Sequence, residues 1–302
     1  MPGRQATIAV PASYDFGAAL AFLRESPSAI LESVDGRTYR RAWRAARGCE
    51  LVSVERAGPG LCVRVEGPHV DAESLAQAVR KVRHILSLDV DADAFQELVA
   101  TDPILARLVG DDRHARPVLI ADPFECLVWA IIGQQVGVGF ARSLRQALVR
   151  VVGREVTFGA SRFGIMPEAQ ALAGLDEEAL RALHFSRAKI RYLRTAAQAV
   201  AEGALDFASL ATLPRAQALA ALTRFPGVGP WTAEMVLMRG LGIRSVWPAA
   251  DLGLRRALAL ARNEKGSVSE ACARALAASW SGWEAWVAYF AWRSLARSAR
   301  SP

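Results

Sequence analysis

The chain has 302 residues, 52% of them hydrophobic and 22% charged, with 14 prolines among 23 glycines. This excludes collagen-like, low-complexity and intrinsically disordered classes and leaves room for two domains. Lysine plus arginine is 37 against 30 acids, a net +7 that favours an anionic partner, nucleic acid before any other, over a merely solvated basic surface. Four scattered cysteines, Cys49, Cys62, Cys126 and Cys272, form no CxxC pair and have no neighbouring histidine, so neither structural zinc nor a cysteine-held iron–sulfur cluster is expected. With no stretch near the roughly 20 apolar residues of a membrane span, the chain reads as soluble and intracellular, with reduced thiols and no membrane partner.

From Ala6 to about Leu88 the pattern is strand-like and rich in turns. Leu51-Val-Ser-Val-Glu55 alternates, Ala57-Gly-Pro-Gly60 turns, and Leu61-Cys-Val-Arg-Val-Glu66 alternates again, which predicts an antiparallel hairpin. Asp71 to Leu86 then reads as a helix with Leu75, Val79, Val82 and Leu86 on one face, so a sheet covered on one side by helices is expected. After about Asp89 helix follows helix between short Pro or Gly breaks such as Asp122-Pro123, Gly133, Gly153, Pro226-Gly227 and Gly282, with no strong strand signal. Ser267-Val-Ser-Glu270 matches a capping box. The fold class expected is α+β: an N-terminal antiparallel sheet domain over 1–88 followed by an all-α region over 89–302 large enough for two lobes.

The most informative stretch is Leu222-Thr-Arg-Phe-Pro-Gly-Val-Gly-Pro-Trp-Thr-Ala-Glu-Met235. A helix ending near Arg224 meets a turn whose glycines, Gly227 and Gly229, allow positive φ, and Pro230 suits the first turn of a new helix. Such a hairpin leaves the amides of Gly229, Trp231 and Thr232 outward at a helix N-terminus, where a phosphate is favoured. Taken alone it is equally a tight helix–helix turn without a ligand, and the lack of a preceding strand argues against a dinucleotide fingerprint. Twenty residues on, Val246-Trp-Pro-Ala-Ala-Asp-Leu-Gly-Leu-Arg-Arg-Ala257 sets a lone carboxylate, Asp251, at a helix start. By itself Asp251 is an ordinary N-cap. Beside a sugar, the same carboxylate could stabilise positive charge at the anomeric carbon or orient a water.

The hairpin followed by Trp247-Pro-Ala-Ala-Asp251 resembles the helix-hairpin-helix Gly/Pro…Asp superfamily of DNA glycosylases, and within it the DNA-3-methyladenine glycosylase II branch. Supporting segments are Pro123-Phe-Glu-Cys-Leu-Val-Trp-Ala-Ile-Ile-Gly-Gln-Gln-Val136, Leu183-His-Phe-Ser-Arg-Ala-Lys-Ile-Arg-Tyr-Leu193 and the Trp280, Trp283, Trp292 series. The likeness runs from about Asp89 to Trp292 and is only loose before that. It implies a two-lobed helical fold, one lobe over 117–243 and the other from 89–116 plus 244–302, with Asp251 as the catalytic carboxylate in the cleft. Where bifunctional relatives carry a lysine nucleophile this chain has Trp231, so the resemblance implies a monofunctional enzyme without lyase activity.

Trp231 and Trp292 match positions that line a base pocket, where electron-rich faces attract a cationic alkylated purine. Met235 and Gln134 fall in the same pocket by resemblance, Met235 where a relative has tyrosine and Ala250 where it has an acid. Gln135 occupies the position of the wedge that fills the stack after the target nucleotide flips out, in place of an apolar residue. Gly227, Gly229 and Thr232 would form the phosphate-binding hairpin, and the backbone carbonyls of Thr223, Phe225 and Val228 would hold a structural Na⁺ or K⁺. No catalytic cofactor is implied, and a single cysteine beyond Asp251, Cys272, argues against the iron–sulfur branches.

The implied partner is double-stranded DNA containing damaged bases, met by a monomer in the bacterial cytoplasm at the nucleoid. Basic stretches at Arg142–Arg154 and Arg181–Arg194 are candidates for phosphate contacts, and Arg37–Arg47 reads as a solvated face. Two rivals stay open: a glycosylase for oxidised or deaminated bases, and a non-catalytic helix-hairpin-helix DNA-binding protein.

Overall fold

The computed structural model describes residues 2–25 and 30–298. The chain begins with β1 (Gly3–Ile8), α1 (Phe16–Arg24), β2 (Glu32–Asp35), β3 (Thr38–Ala45), β4 (Gly48–Ala57), β5 (Gly60–Glu66) and α2 (Ala72–Ile85), the strands forming an antiparallel five-stranded sheet in the order β1-β5-β4-β3-β2. The expected hairpin is β4–β5, with Ala57 paired to Gly60 and Val54 to Val63. Alternation sends Val52, Val54, Val63 and Val65 to one face, where they are sealed from solvent with Val82, Ile85 and Leu86 of α2 and Leu20 and Leu23 of α1. Asp71 starts α2 through a reciprocal cap with Ser74, its carboxylate accepting from the Ser74 amide at 2.8 Å.

The second part runs α3 (Asp93–Thr101), α4 (Pro103–Val109), α5 (Pro123–Gly133), α6 (Val138–Val152), β6 (Arg154–Phe158), β7 (Ser161–Ile165), α7 (Ala169–Ala173), α8 (Glu177–Ala182), α9 (Arg187–Ala201), α10 (Phe207–Thr212), α11 (Arg215–Thr223), α12 (Pro230–Met235), a π-helical turn (Val236–Gly240), α13 (Leu252–Ala261), α14 (Glu270–Ala277) and α15 (Glu284–Ser298). No described helix is long and apolar enough to cross a membrane. Phe95 of α3 stacks on Phe290 of α15 with ring centroids 5.5 Å apart and meets Trp283 and Trp286 at its other edges, tying residues 93–109 to the C-terminal helices.

Two details of secondary structure depart from the sequence reading. The β6–β7 hairpin interrupts the helical part, where no strand was expected; its Phe163 and Ile165 pack with Ala42, Cys49 and Leu51 on the face of the sheet opposite α1 and α2. Gly164 hides the strand pattern there: a Cβ on it would lie 2.6 Å from the Val149 side chain, so close approach to α6 excludes the residue that would complete the alternation. The Ser267–Glu270 capping box does not form. Ser269 is the N-cap of α14, accepting from the Cys272 amide at 3.1 Å, because Val268 is buried and bonded through both backbone groups to Arg255, which holds it outside the helix.

The two parts are joined by buried charge. Arg41 of β3 reaches Glu32 of β2 at 2.8 Å and also Glu125 of α5, Arg145 of α6 pairs with the other Glu125 oxygen, and Tyr39 donates to Glu32 at 2.7 Å. Arg41 and Arg145 therefore neutralise acids inside the protein: Arg41 departs from the solvated face expected of Arg37–Arg47, of which Arg37, Arg44 and Arg47 are exposed, and Arg145 does not face phosphate. Burial alone would raise the Glu125 carboxyl, but Arg41 and Arg145 outweigh it and hold it below the ordinary carboxylate range. Arg41→Met leaves two buried carboxylates under-compensated and should cost about 3–5 kcal/mol. Because the folded carboxyl is depressed, that contribution is full above the unfolded pKa and lost on acidification, so denaturant unfolding should show a larger deficit at pH 7 than at pH 4.

Candidate active site

The hairpin between α11 and α12 forms as expected, but its two glycines act differently. Gly227 takes φ +83°, and a Cβ there would sit 2.1 Å from the Tyr192 ring. Gly229 is extended at φ −77°, is the N-cap of α12 and has nothing within 4 Å of a would-be Cβ. The first glycine makes the turn and admits Tyr192; the second leaves the backbone bare to an approaching group. Thr232 is 2% exposed and its hydroxyl accepts from Gln134 Nε2 at 2.9 Å, so its side chain is turned to the segment after α5 and not to solvent. Gln134 also donates to the Gly227 carbonyl at 2.7 Å, and Met235 is buried in the helical core.

Asp251 stands where three helices meet. Its amide bonds back to the Pro248 carbonyl at 2.8 Å, closing the turn after Trp247, whose indole is anchored on the Ala273 carbonyl at 3.0 Å. As N-cap of α13 it accepts the Leu254 amide on Oδ1 at 2.7 Å. The same oxygen accepts Trp292 Nε1 at 2.9 Å, and Oδ2 accepts Trp231 Nε1 at 3.0 Å. All three side chains are partly buried. An indole has one donor and no acceptor, so both tryptophans have committed their polar atom to the carboxylate and can meet a ligand only through the ring.

Gly253 belongs to this site and was missed. A Cβ on it would lie 3.1 Å from Asp251 Oδ1 and 3.5 Å from Trp292 Cδ1. The available signal was a glycine in the first turn of a helix, which is unfavourable unless something approaches closely. Of the three carbonyls expected to hold a cation, those of Thr223 and Val228 accept no hydrogen bond within the described residues, and that of Phe225 accepts the Val228 amide at 3.0 Å. Unsatisfied neutral oxygens of this kind suit a hard monovalent cation. Gln135 is exposed with φ +56°, and of the arginines in 181–194, Arg181, Arg187, Arg191 and Arg194 are exposed.

A family model described as "HhH-GPD superfamily base excision DNA repair protein" matches residues 128–282, the stretch that holds the hairpin and Asp251. The chain belongs to this family. The "AlkA N-terminal domain" model matches residues 6–117. The HhH-GPD chain is 29% identical over 187 residues to a DNA-3-methyladenine glycosylase of Bacillus subtilis, 62% of each chain, so the match spans less than two thirds of that relative. It is 30% identical over 247 residues to DNA-3-methyladenine glycosylase 2 of Escherichia coli, 80% of each. The structure of a 3-methyladenine DNA-glycosylase from Archaeoglobus fulgidus has the same fold, with a TM-score of 0.84 at 23% identity over 98% of this chain and 100% of that one.

Within the HhH-GPD hairpin helix, burial pushes the Glu234 carboxyl up to about 7, against the pull of Arg274 and Arg215. The folded state then keeps a proton that the unfolded chain gives up from about pH 4.5, so stability falls as pH rises from there to 7. Glu234→Gln should therefore gain about 1–2 kcal/mol over the parent at pH 8 and almost nothing at pH 4, read by denaturant unfolding. The glycines separate in a second experiment. Gly227→Ala should lower stability by about 2–4 kcal/mol through strain and the clash with Tyr192, whereas Gly229→Ala should unfold like the parent and weaken duplex binding.

Proposed function

We propose that this chain is a monofunctional DNA glycosylase that takes an alkylated, 3-methyladenine-like purine out of duplex DNA, hydrolyses its N-glycosidic bond and leaves an abasic site for base excision repair. The observation that carries this reading is the Asp251 carboxylate fixed between the indoles of Trp231 and Trp292, with the named relatives pointing to the same class of lesion. The duplex docks its backbone on the bare hairpin amides beside Gly229. Thr223, Phe225 and Val228 would hold a Na⁺ or K⁺ that balances phosphate charge.

The target nucleotide turns out of the stack into the cleft, and Gln135 fills the gap. The indole faces hold the cationic base by stacking and cation–π attraction. As the bond from the sugar to the base breaks, its electron pair neutralises the alkylated ring, which leaves without being protonated. The carboxylate of Asp251 stabilises the positive charge left on the sugar and orients the water that adds to the anomeric carbon, releasing a proton. Trp231 has no nucleophilic amine, so no Schiff base forms and the strand is not cut.

Release assays on duplexes bearing 3-methyladenine, 7-methylguanine, hypoxanthine, uracil or 8-oxoguanine test this directly. Excision of the methylated purines is expected; a clear preference for 8-oxoguanine defeats the reading. Asp251→Asn should lower excision at least about 100-fold with duplex binding retained; excision undiminished in the variant would remove Asp251 from catalysis, and no excision by the parent would leave only a DNA-binding protein. Borohydride should trap no protein–DNA adduct. Gly253→Ala, which presses on Asp251 and Trp292, should lower excision about tenfold with little change in melting temperature.

A further inference from the structure

The segment between α5 and α6 is restrained at two points. Lys189 of α9, only 9% exposed, donates from Nζ to the Ile132 carbonyl at 2.7 Å in the last turn of α5. Two residues later, Gln134 donates from Nε2 to the Gly227 carbonyl at 2.7 Å and to the Thr232 hydroxyl at 2.9 Å, one residue on either side of the hairpin tip. The Gly227 acceptor is a carbonyl, which settles that the amide nitrogen faces the hairpin. Both hydrogens of that nitrogen are then occupied, so Gln134 has no donor left for a base.

Immediately after these contacts Gln135 adopts φ +56° and is exposed. A side chain in the left-handed region needs its surroundings to hold it there. Cβ atoms placed at the flanking Gly133 and Gly137 would touch nothing within 4 Å, so apart from Val136, which packs on the core, hydrogen bonds supply the restraint.

We infer that Gln134 is a positioning residue that ties the loop presenting Gln135 to the phosphate-binding hairpin, so that seating the backbone and filling the stack are one docking event. The inference rests on the reading of Gln135 as the stack-filling residue. In this arrangement the hairpin carries the loop with it when it engages a phosphate, and Lys189 holds the last turn of α5 from which the loop departs.

The test is a double-mutant cycle on the full chain, with a duplex that contains a tetrahydrofuran abasic analogue and 2-aminopurine as its neighbour. Affinity and 2-aminopurine fluorescence, which reports unstacking, are read for Gln134→Leu, Gln135→Ala and the double variant, alongside melting temperature. Gln135→Ala should weaken binding about tenfold and lower the fluorescence gain; Gln134→Leu should do the same, and the double variant should be no worse than Gln135→Ala. Thr232→Val, which removes one of the two acceptors, should give a smaller loss that also vanishes in the Gln135→Ala background, and it serves if Gln134→Leu does not fold. If Gln135→Ala has no effect, the stack-filling reading fails. If it has its effect while Gln134→Leu and Thr232→Val are silent, or add to it in full, the positioning role is overturned and the reading of Gln135 stands.

Discussion

One carboxylate gathers three helices. Asp251 caps α13 through the Leu254 amide, takes Trp231 from the hairpin helix and takes Trp292 from α15. Because α15 is anchored by buried Tyr289 and Phe290 and α12 by buried Ala233 and Met235, these bonds set the hairpin and the carboxylate at a fixed separation. The group that would meet the sugar is thus referenced to the group that would meet the phosphate. Geometry of that kind lets binding energy from the backbone be converted into orientation at the reacting carbon.

A capping aspartate beside a tryptophan is not in itself reactive, and the chain contains a control. Asp102 accepts the Ile104 and Leu105 amides on Oδ1 and Trp280 Nε1 on Oδ2 at 2.8 Å, in the same style as Asp251. There the indole is sealed in the core at 1% exposure, whereas both indoles on Asp251 are only partly buried. Local sequence cannot separate the two aspartates, since each is a good N-cap. The hairpin ahead of Asp251 does, because Trp231 stands two residues after Gly229 and brings the hairpin to the carboxylate.

What was legible in the sequence is what local chemistry decides: the β4–β5 hairpin from its alternation, α2 from its cap and face, and the helix–hairpin–helix from Gly227 and Pro230. What was hidden depends on partners distant in the chain. Arg41, Arg145 and Lys189 read as surface cations because nothing nearby in sequence reveals Glu125 or the Ile132 carbonyl. Gln134 looked like a base ligand for the same reason, since its acceptors lie beyond residue 226. The net +7 therefore overstates some stretches and not others: part of Arg142–Arg154 is internal structure, while α9 and its approach keep four arginines exposed.

The sheet domain gains a physical role from α5. Pro123–Gly133 has one charged side chain, Glu125, and Phe124 to Val128 and Ala130 to Ile132 are all buried. A helix apolar on every side needs neighbours on every side. α6, α9, α12 and the π-helical turn cover most of it, and at the first turn Arg41 from β3 completes the cover by neutralising Glu125 together with Arg145. The last turn of the same helix leads straight into Gln134 and Gln135. With Trp129 also under the Arg145 guanidinium at 5.6 Å, α5 is held by the sheet domain at one end and by Lys189 at the other. On the proposed reading of Gln135, a loop that pushes a side chain into stacked bases needs a support that does not yield, and the sheet domain would be part of that support.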